Sequence, residues 1–215
     1  MKQPLILLGA LALTLLATCN CPPDEQVGSL ALSAEALAFL PYSGSETLRF
    51  VANDGTEMTF TAPRGEEINS DRLCIRTTCT EARFGSPSSC DYHAAESRRY
   101  SYFSSDNQAV LDFLLYSELY TYNTTDFFDV CLVALSVGSP SMEATHVITP
   151  RFTGDFDPDD TEIMDQMELQ SSLTLNGQTF QNVLSLEHNG LAVYLQEGTG
   201  LIGFKGGGKT WVLQP

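Results

Sequence analysis

Residues 167–213 read MELQSSLTLNGQTFQNVLSLEHNGLAVYLQEGTGLIGFKGGGKTWVL, short apolar-bearing runs separated by turn dipeptides. Met167, Leu169, Leu173 and Leu175 share one face of an extended chain, and Glu168, Gln170, Ser172 and Thr174 share the other. A period of two is the signature of a strand with one buried and one wet face. Asn176-Gly177 and Asn189-Gly190 provide the positive φ of tight hairpin turns, so the chain should return along 179–187 and again along 191–196. Gly198 and Gly200 turn it into 201–204, and Gly206, Gly207 and Gly208 turn it into 210–213. The stretch is an antiparallel meander. A face as polar as that of 168–174 argues against a sheet buried on both sides.

The same period extends toward the amino terminus. Segments 47–52 and 57–62 flank Asp54-Gly55 and form a predicted hairpin, with Leu48 and Phe50 alternating on one strand and Met58 and Phe60 on the other. Segments 97–104, 109–122, 127–137 and 143–152 are rich in Tyr, Phe, Leu and Val and read as further strands. The second of these also fits a helix at its start, through Val110, Phe113 and Leu114. Between 64 and 95 the chain reads as a cysteine-bearing loop. One short helix is expected over 34–40, capped by Ser33 and stopped by Pro41, with Ala34, Leu37 and Leu40 as its buried stripe. The fold class is therefore mainly β: an antiparallel meander forming a curved sheet or open half-barrel, with one short N-terminal helix.

The first residues read as an export signal. Lys2 is followed by an apolar run from Leu5 to Ala17, about the length of a signal core and short for a bilayer span. The run ends in Leu16-Ala17-Thr18-Cys19, which resembles the lipobox of bacterial lipoproteins, with Thr18 where Gly, Ala or Ser is usual. That makes Cys19 the lipidated residue. The division expected is a signal peptide over 1–18, a lipidated Cys and tether over 19–28, and a single β-rich domain over 29–215. The protein is then exported and anchored to the outer membrane, facing the periplasm or the cell surface.

Removing the signal leaves 10 basic against 27 acidic residues, a net charge of 10 − 27 = −17. Between Tyr100 and Phe204 the only base is Arg151, against fifteen Asp and Glu. Such a surface repels phosphate backbones, so no nucleic-acid partner is expected. Cys74, Cys79, Cys90 and Cys131 are an even set in an oxidising compartment and suggest two disulfides. Of the three connectivities, a local Cys79–Cys90 loop with a Cys74–Cys131 bridge is preferred, and this count leaves Cys21 over. The spacings lack the paired CxxC units of zinc sites.

Few motifs carry chemistry. Residues 203–210, GFKGGGKT, match the phosphate-loop pattern letter for letter. That pattern needs a following helix to aim backbone N–H groups at phosphates. Only 211–215 remain, and they read as a strand, so a glycine-rich hairpin is the better account and no nucleotide is expected. Asp155, Asp157, Asp159, Asp160 and Glu162 form an acidic loop, a weak calcium candidate that fails the EF-hand pattern at Asp160 and Gln166; no other cofactor is expected. His93, His146 and His188 are scattered, and the chain has no GxSxG elbow and no HExxH motif. No catalytic residue is named, and the reading leans away from an enzyme. Tyr100, Tyr102, Tyr116, Tyr120 and Tyr122 are the ligand-facing candidates, because a Tyr face can stack on a sugar or line an apolar pocket. Core packing competes with that role.

Two stretches, SAEALAFLPYSGSETLRFVANDGTEMTF (33–60) and NGQTFQNVLSLEHNGLAVYLQEGTGLIGFKGGGKTWVLQ (176–214), together with the lipobox and mid-chain cysteines, resemble lipoproteins of Bacteroidetes. The ending of that group, a Tyr-bearing strand, a GxGLxxF turn and a final WxL, corresponds here to Tyr194, Gly198, Gly200, Leu201, Phe204, Trp211 and Leu213. The resemblance implies an anchored, β-rich envelope protein; its motifs are structural and assign no active-site residue. The function expected is that of a cell-envelope lipoprotein acting as a non-enzymatic binding or structural module with a glycan, lipid or protein partner. The alternatives are a carrier of an apolar ligand in the half-barrel and a secreted hydrolase whose site assembles from distant loops.

Overall fold

A computed structural model describes residues 21–80, 88–120, 126–151 and 166–214. The elements are β1 (Glu25–Leu30), α1 (Ala34–Phe39), β2 (Thr47–Ala52), β3 (Glu57–Thr61), β4 (Glu66–Cys79), β5 (Ser89–Ser104), β6 (Ala109–Leu119), β7 (Phe127–Val137), β8 (Ser141–Pro150), β9 (Glu168–Leu175), β10 (Gln178–His188), β11 (Leu191–Gln196), β12 (Gly200–Gly206) and β13 (Lys209–Leu213). All thirteen of these strands belong to one sheet, curled into a half-barrel; eleven follow the order β8-β7-β6-β5-β3-β2-β13-β12-β11-β10-β9, and β1 and β4 each pair with β5 off that path. The pairing is antiparallel except at β1, which runs parallel to β5. Beyond the ladder, the Gln166 N–H donates to the Thr145 carbonyl at 2.9 Å, bringing the chain leading into β9 against β8 at the opposite end of the sheet order.

The meander forms with the expected turns: Asn176, Gly177, Asn189 and Gly190 all have positive φ. The ambiguity at 109 resolves as a strand. Ala109, Leu111, Phe113 and Leu115 alternate inward, and all of β6 pairs with β7. The helix ends at Phe39, with the Ser33 hydroxyl accepting the N–H of Ala36. Its buried stripe is Ala36, Phe39 and Leu40, so the expected Ala34 is exposed and Leu37 only partly buried.

Two expectations are corrected at the amino-terminal side. The tether does not run to 28, because β1 begins at Glu25 and pairs with Asp91 to Ala95 of β5. The loop expected over 64–95 is instead mostly β4 and the first part of β5, paired from Glu66↔Tyr100 to Cys79↔Ser89. β4 is held by its backbone ladder and by cystines. Its side chains are largely exposed, so it has no apolar period for a sequence reading to detect. β5 is long enough to serve two neighbours on its other edge, β1 beside 91–95 and β6 beside 98–103.

The stripe of Met167, Leu169, Leu173 and Leu175 is split. Met167 joins the main core, Leu169 is 67% exposed, and Leu173 and Leu175 pack in a second cluster with Val183, Ala192, Tyr194, Ile202 and Val212. Asn182 lies in β10 with φ +52°, a left-handed conformation that Asn tolerates better than most residues. On the turn side of Asn182, the tip of the β9–β10 hairpin lies across β12 and β13. Its Asn176 side chain donates to the carbonyls of Val51 and Thr210.

Candidate functional site

The inner face of the half-barrel is filled by its own side chains. Phe50, Phe60 and Phe204 meet edge to face at 5.1–5.9 Å between centroids, and Trp211 stacks on Phe204 at 5.8 Å. Tyr42, just after α1, enters this core and contacts Tyr100, Tyr102 and Phe113. Its hydroxyl accepts the N–H of Leu201 at 2.8 Å. A Cβ on Gly200 would fall 2.4 Å from that hydroxyl oxygen, so the GxGL motif makes room for Tyr42. Burial is the main reason the Tyr42 phenol titrates well above its ordinary range.

Two of the aromatics expected to face a ligand are core residues. Tyr100 and Tyr102 are buried, and their hydroxyls donate to Glu66 at 2.7 Å and Glu46 at 3.0 Å. Burial, then these carboxylates, push both phenols upward. Tyr116 and Tyr120 pack against Phe128, Val130 and Val147 in a third cluster. Burial raises Tyr116 to about 12. Tyr116 also lines a groove of about 180 Å³ with Leu73, Ala95 and Leu114. Tyr122 lies outside the described residues, as do Cys19 and the calcium candidates Asp155, Asp157, Asp159, Asp160 and Glu162. Among the described residues, no group of three or more His, Cys, Asp and Glu is placed to hold a metal ion.

The histidines occupy separate strands. His93 of β5 packs on Phe127, His146 of β8 on Phe39, and His188 contacts the Asn189 side chain at the end of β10. Asp129 of β7 is fully buried yet well partnered: it accepts the N–H of Ser33 at 3.0 Å and the Ser117 hydroxyl at 2.6 Å, with Arg151 at 3.4 Å. The Arg151 guanidinium also donates to the Ala31 carbonyl, so this cluster fixes the β1–α1 connection to the barrel. In the 203–210 segment, Gly207 and Gly208 form the turn between β12 and β13. Lys209 pairs with Asp54 and Thr56 and lies over Trp211.

The cystines differ from the expected pairing. The bonds are Cys21–Cys79 and Cys74–Cys90, and Cys131 is a buried free thiol. The register explains why. Cys74 and Cys90 lie two residues apart along the facing strands of the β4–β5 arm, next to the pairs Cys74↔Tyr92 and Thr77↔Cys90. Cys131 instead points inward among core residues, where burial drives its pKa far up and keeps it an inert thiol. Cys21, left over by the sequence count, is the partner of Cys79.

This stapled arm carries a surface of mixed chemistry. A cleft of about 570 Å³ lies between Cys21, Pro22, Pro23 and Asp24 on one side and Arg72, Ser88, Ser89 and Tyr92 on the other. The Arg72 guanidinium pairs with Asp24 and sits 5.9 Å over the Tyr92 ring. Asp24 also accepts the Cys90 N–H at 3.0 Å, and the Ser89 hydroxyl donates to the Pro22 carbonyl. Sequence reading missed the cleft because its parts lie some fifty to seventy residues apart; the extra Cys21 was the one available signal. The two cystines mark an oxidising, exported environment. Among the described residues, no helix is long and apolar enough to cross a membrane. Compared with known proteins, the chain matches no family model, no curated protein and no solved structure.

Proposed function

We propose that this chain is a lipid-anchored protein of the bacterial outer membrane, similar to the lipoproteins of Bacteroidetes, that works as a non-enzymatic binding or structural module. The observation that carries this reading is the use made of the inner face. Its large aromatics pack on one another and on Tyr42, with the Tyr42, Tyr100 and Tyr102 hydroxyls committed to structural hydrogen bonds. A half-barrel filled in this way supports a module that acts through its outer surface more than one that encloses a ligand. The two cystines support export, and the lipobox ending in Cys19 supports anchoring.

The test is Cys19→Ala, expressed in a bacterium that processes lipoproteins. The wild-type protein should partition into detergent-solubilised membranes and carry the mass of a lipid anchor. The variant should lose both. A variant that stays membrane-bound with the wild-type mass would end the anchoring reading.

A further inference from the structure

We infer that the end of the β4–β5 arm that carries the Cys21–Cys79 bond is the membrane-facing end of the molecule, with the lipid headgroup layer resting against Pro22, Pro23, Arg72, Ser88 and Tyr92. This rests on the lipid-anchor reading of Cys19 and adds an orientation to it. Cys21 is bonded to Cys79 at the end of β4, and only two peptide units separate Cys21 from Cys19. A residue spans at most about 3.6 Å, so chain length alone keeps the Cα of an anchored Cys19 within about 7 Å of that of Cys21. The connection acts as a short strap, with none of the slack of a long flexible tether.

Beyond Cys21 the chain stays attached to the arm. Asp24 pairs with Arg72 and accepts from Cys90, and β1 continues in parallel along β5 from Glu25↔Asp91. Strand direction fixes which end is down. The starts of β1, β5 and β7 lie at the arm-tip end. The β5–β6 and β7–β8 turns lie at the opposite end, separated from it by the 11 residues of β7, roughly 35 Å at 3.3 Å per residue.

On the arm, Arg72 and Arg76 neutralise Asp24 and Asp91. Both Arg side chains remain more than 60% exposed and can meet phosphate as well.

The experiment uses full-length lipidated protein in phosphatidylethanolamine/phosphatidylglycerol vesicles doped with dansyl-phosphatidylethanolamine. The sole tryptophan, Trp211, is removed as Trp211→Phe, and a reporter is placed at Ser88→Trp or, at the opposite end, at Ser139→Trp. Both positions are exposed. Energy transfer to the labelled headgroups should be at least threefold greater from position 88. In a Cys21→Ser/Cys79→Ser background, where the strap lengthens toward Asp24, that contrast should fall by half or more. Equal transfer from the two positions in acylated protein overturns the orientation and leaves the anchor reading intact. Protein whose intact mass lacks acyl chains overturns both. If Trp211→Phe does not fold, hydrogen exchange of the wild-type protein decides: slower exchange of the 72–92 arm on vesicles than in detergent supports the orientation, and unchanged exchange overturns it.

Discussion

The Tyr42 hydroxyl accepts the N–H of buried Leu201, joining the chain after α1 to the start of β12 across 159 residues of sequence. Tyr42→Phe keeps the ring and leaves that N–H unsatisfied, which should cost about 1–3 kcal/mol in urea unfolding. Gly200→Ala should cost more, because it adds a Cβ at φ +81° and 2.4 Å from the same oxygen. Glu46 sets a pH dependence. Burial raises its pKa, but hydrogen bonds from Ser43 and Tyr102 outweigh that and hold it at about 2, against an ordinary 4.5. A carboxylate depressed in the folded state adds stability that is full above pH 4.5 and is lost as pH falls toward 2. Thermal melts of Glu46→Gln should therefore show a flatter pH response than wild type across that window.

At the scale of elements, the arm depends on its two cystines, and the chain-entropy model ranks them. Cys21–Cys79 closes a separation of 58 residues and Cys74–Cys90 one of 16. The losses expected on removing each pair as Ser are about 4 and about 3 kcal/mol respectively, read as shifts in urea midpoint. The β9–β13 meander was legible from its period of two and its Asn-Gly turns, because each strand there sets an apolar face against the core. The β4–β5 arm was not. Its strand residues Glu66, Glu67, Asp71, Arg72 and Arg76 show no apolar alternation, and backbone pairing leaves no trace in composition. The tyrosines were legible as aromatic strand residues, but the partners that place Tyr100 and Tyr102 in the core, Glu66 and Glu46, lie 34 and 56 residues away. Cys131 was misread for the same reason: parity of count says nothing about which thiol a strand turns inward.

Across the whole molecule, a stapled arm and a packed aromatic core belong to one sheet, and on the proposed anchoring the end of the arm that carries the Cys21–Cys79 bond faces the membrane. The turns at Asn107, Gly138 and Asn189 lie at the far end, which becomes the end available to a partner under this orientation. The measurement that tests the central claim most directly is native mass spectrometry, unreduced, on protein purified from its own membranes. The account predicts one species: the chain from Cys19 onward with its acyl anchor, two disulfides, one thiol at Cys131, and no further retained mass. A reproducible additional small-molecule mass would contradict the packed half-barrel and point to a carrier, and a species without acyl chains would contradict the anchor.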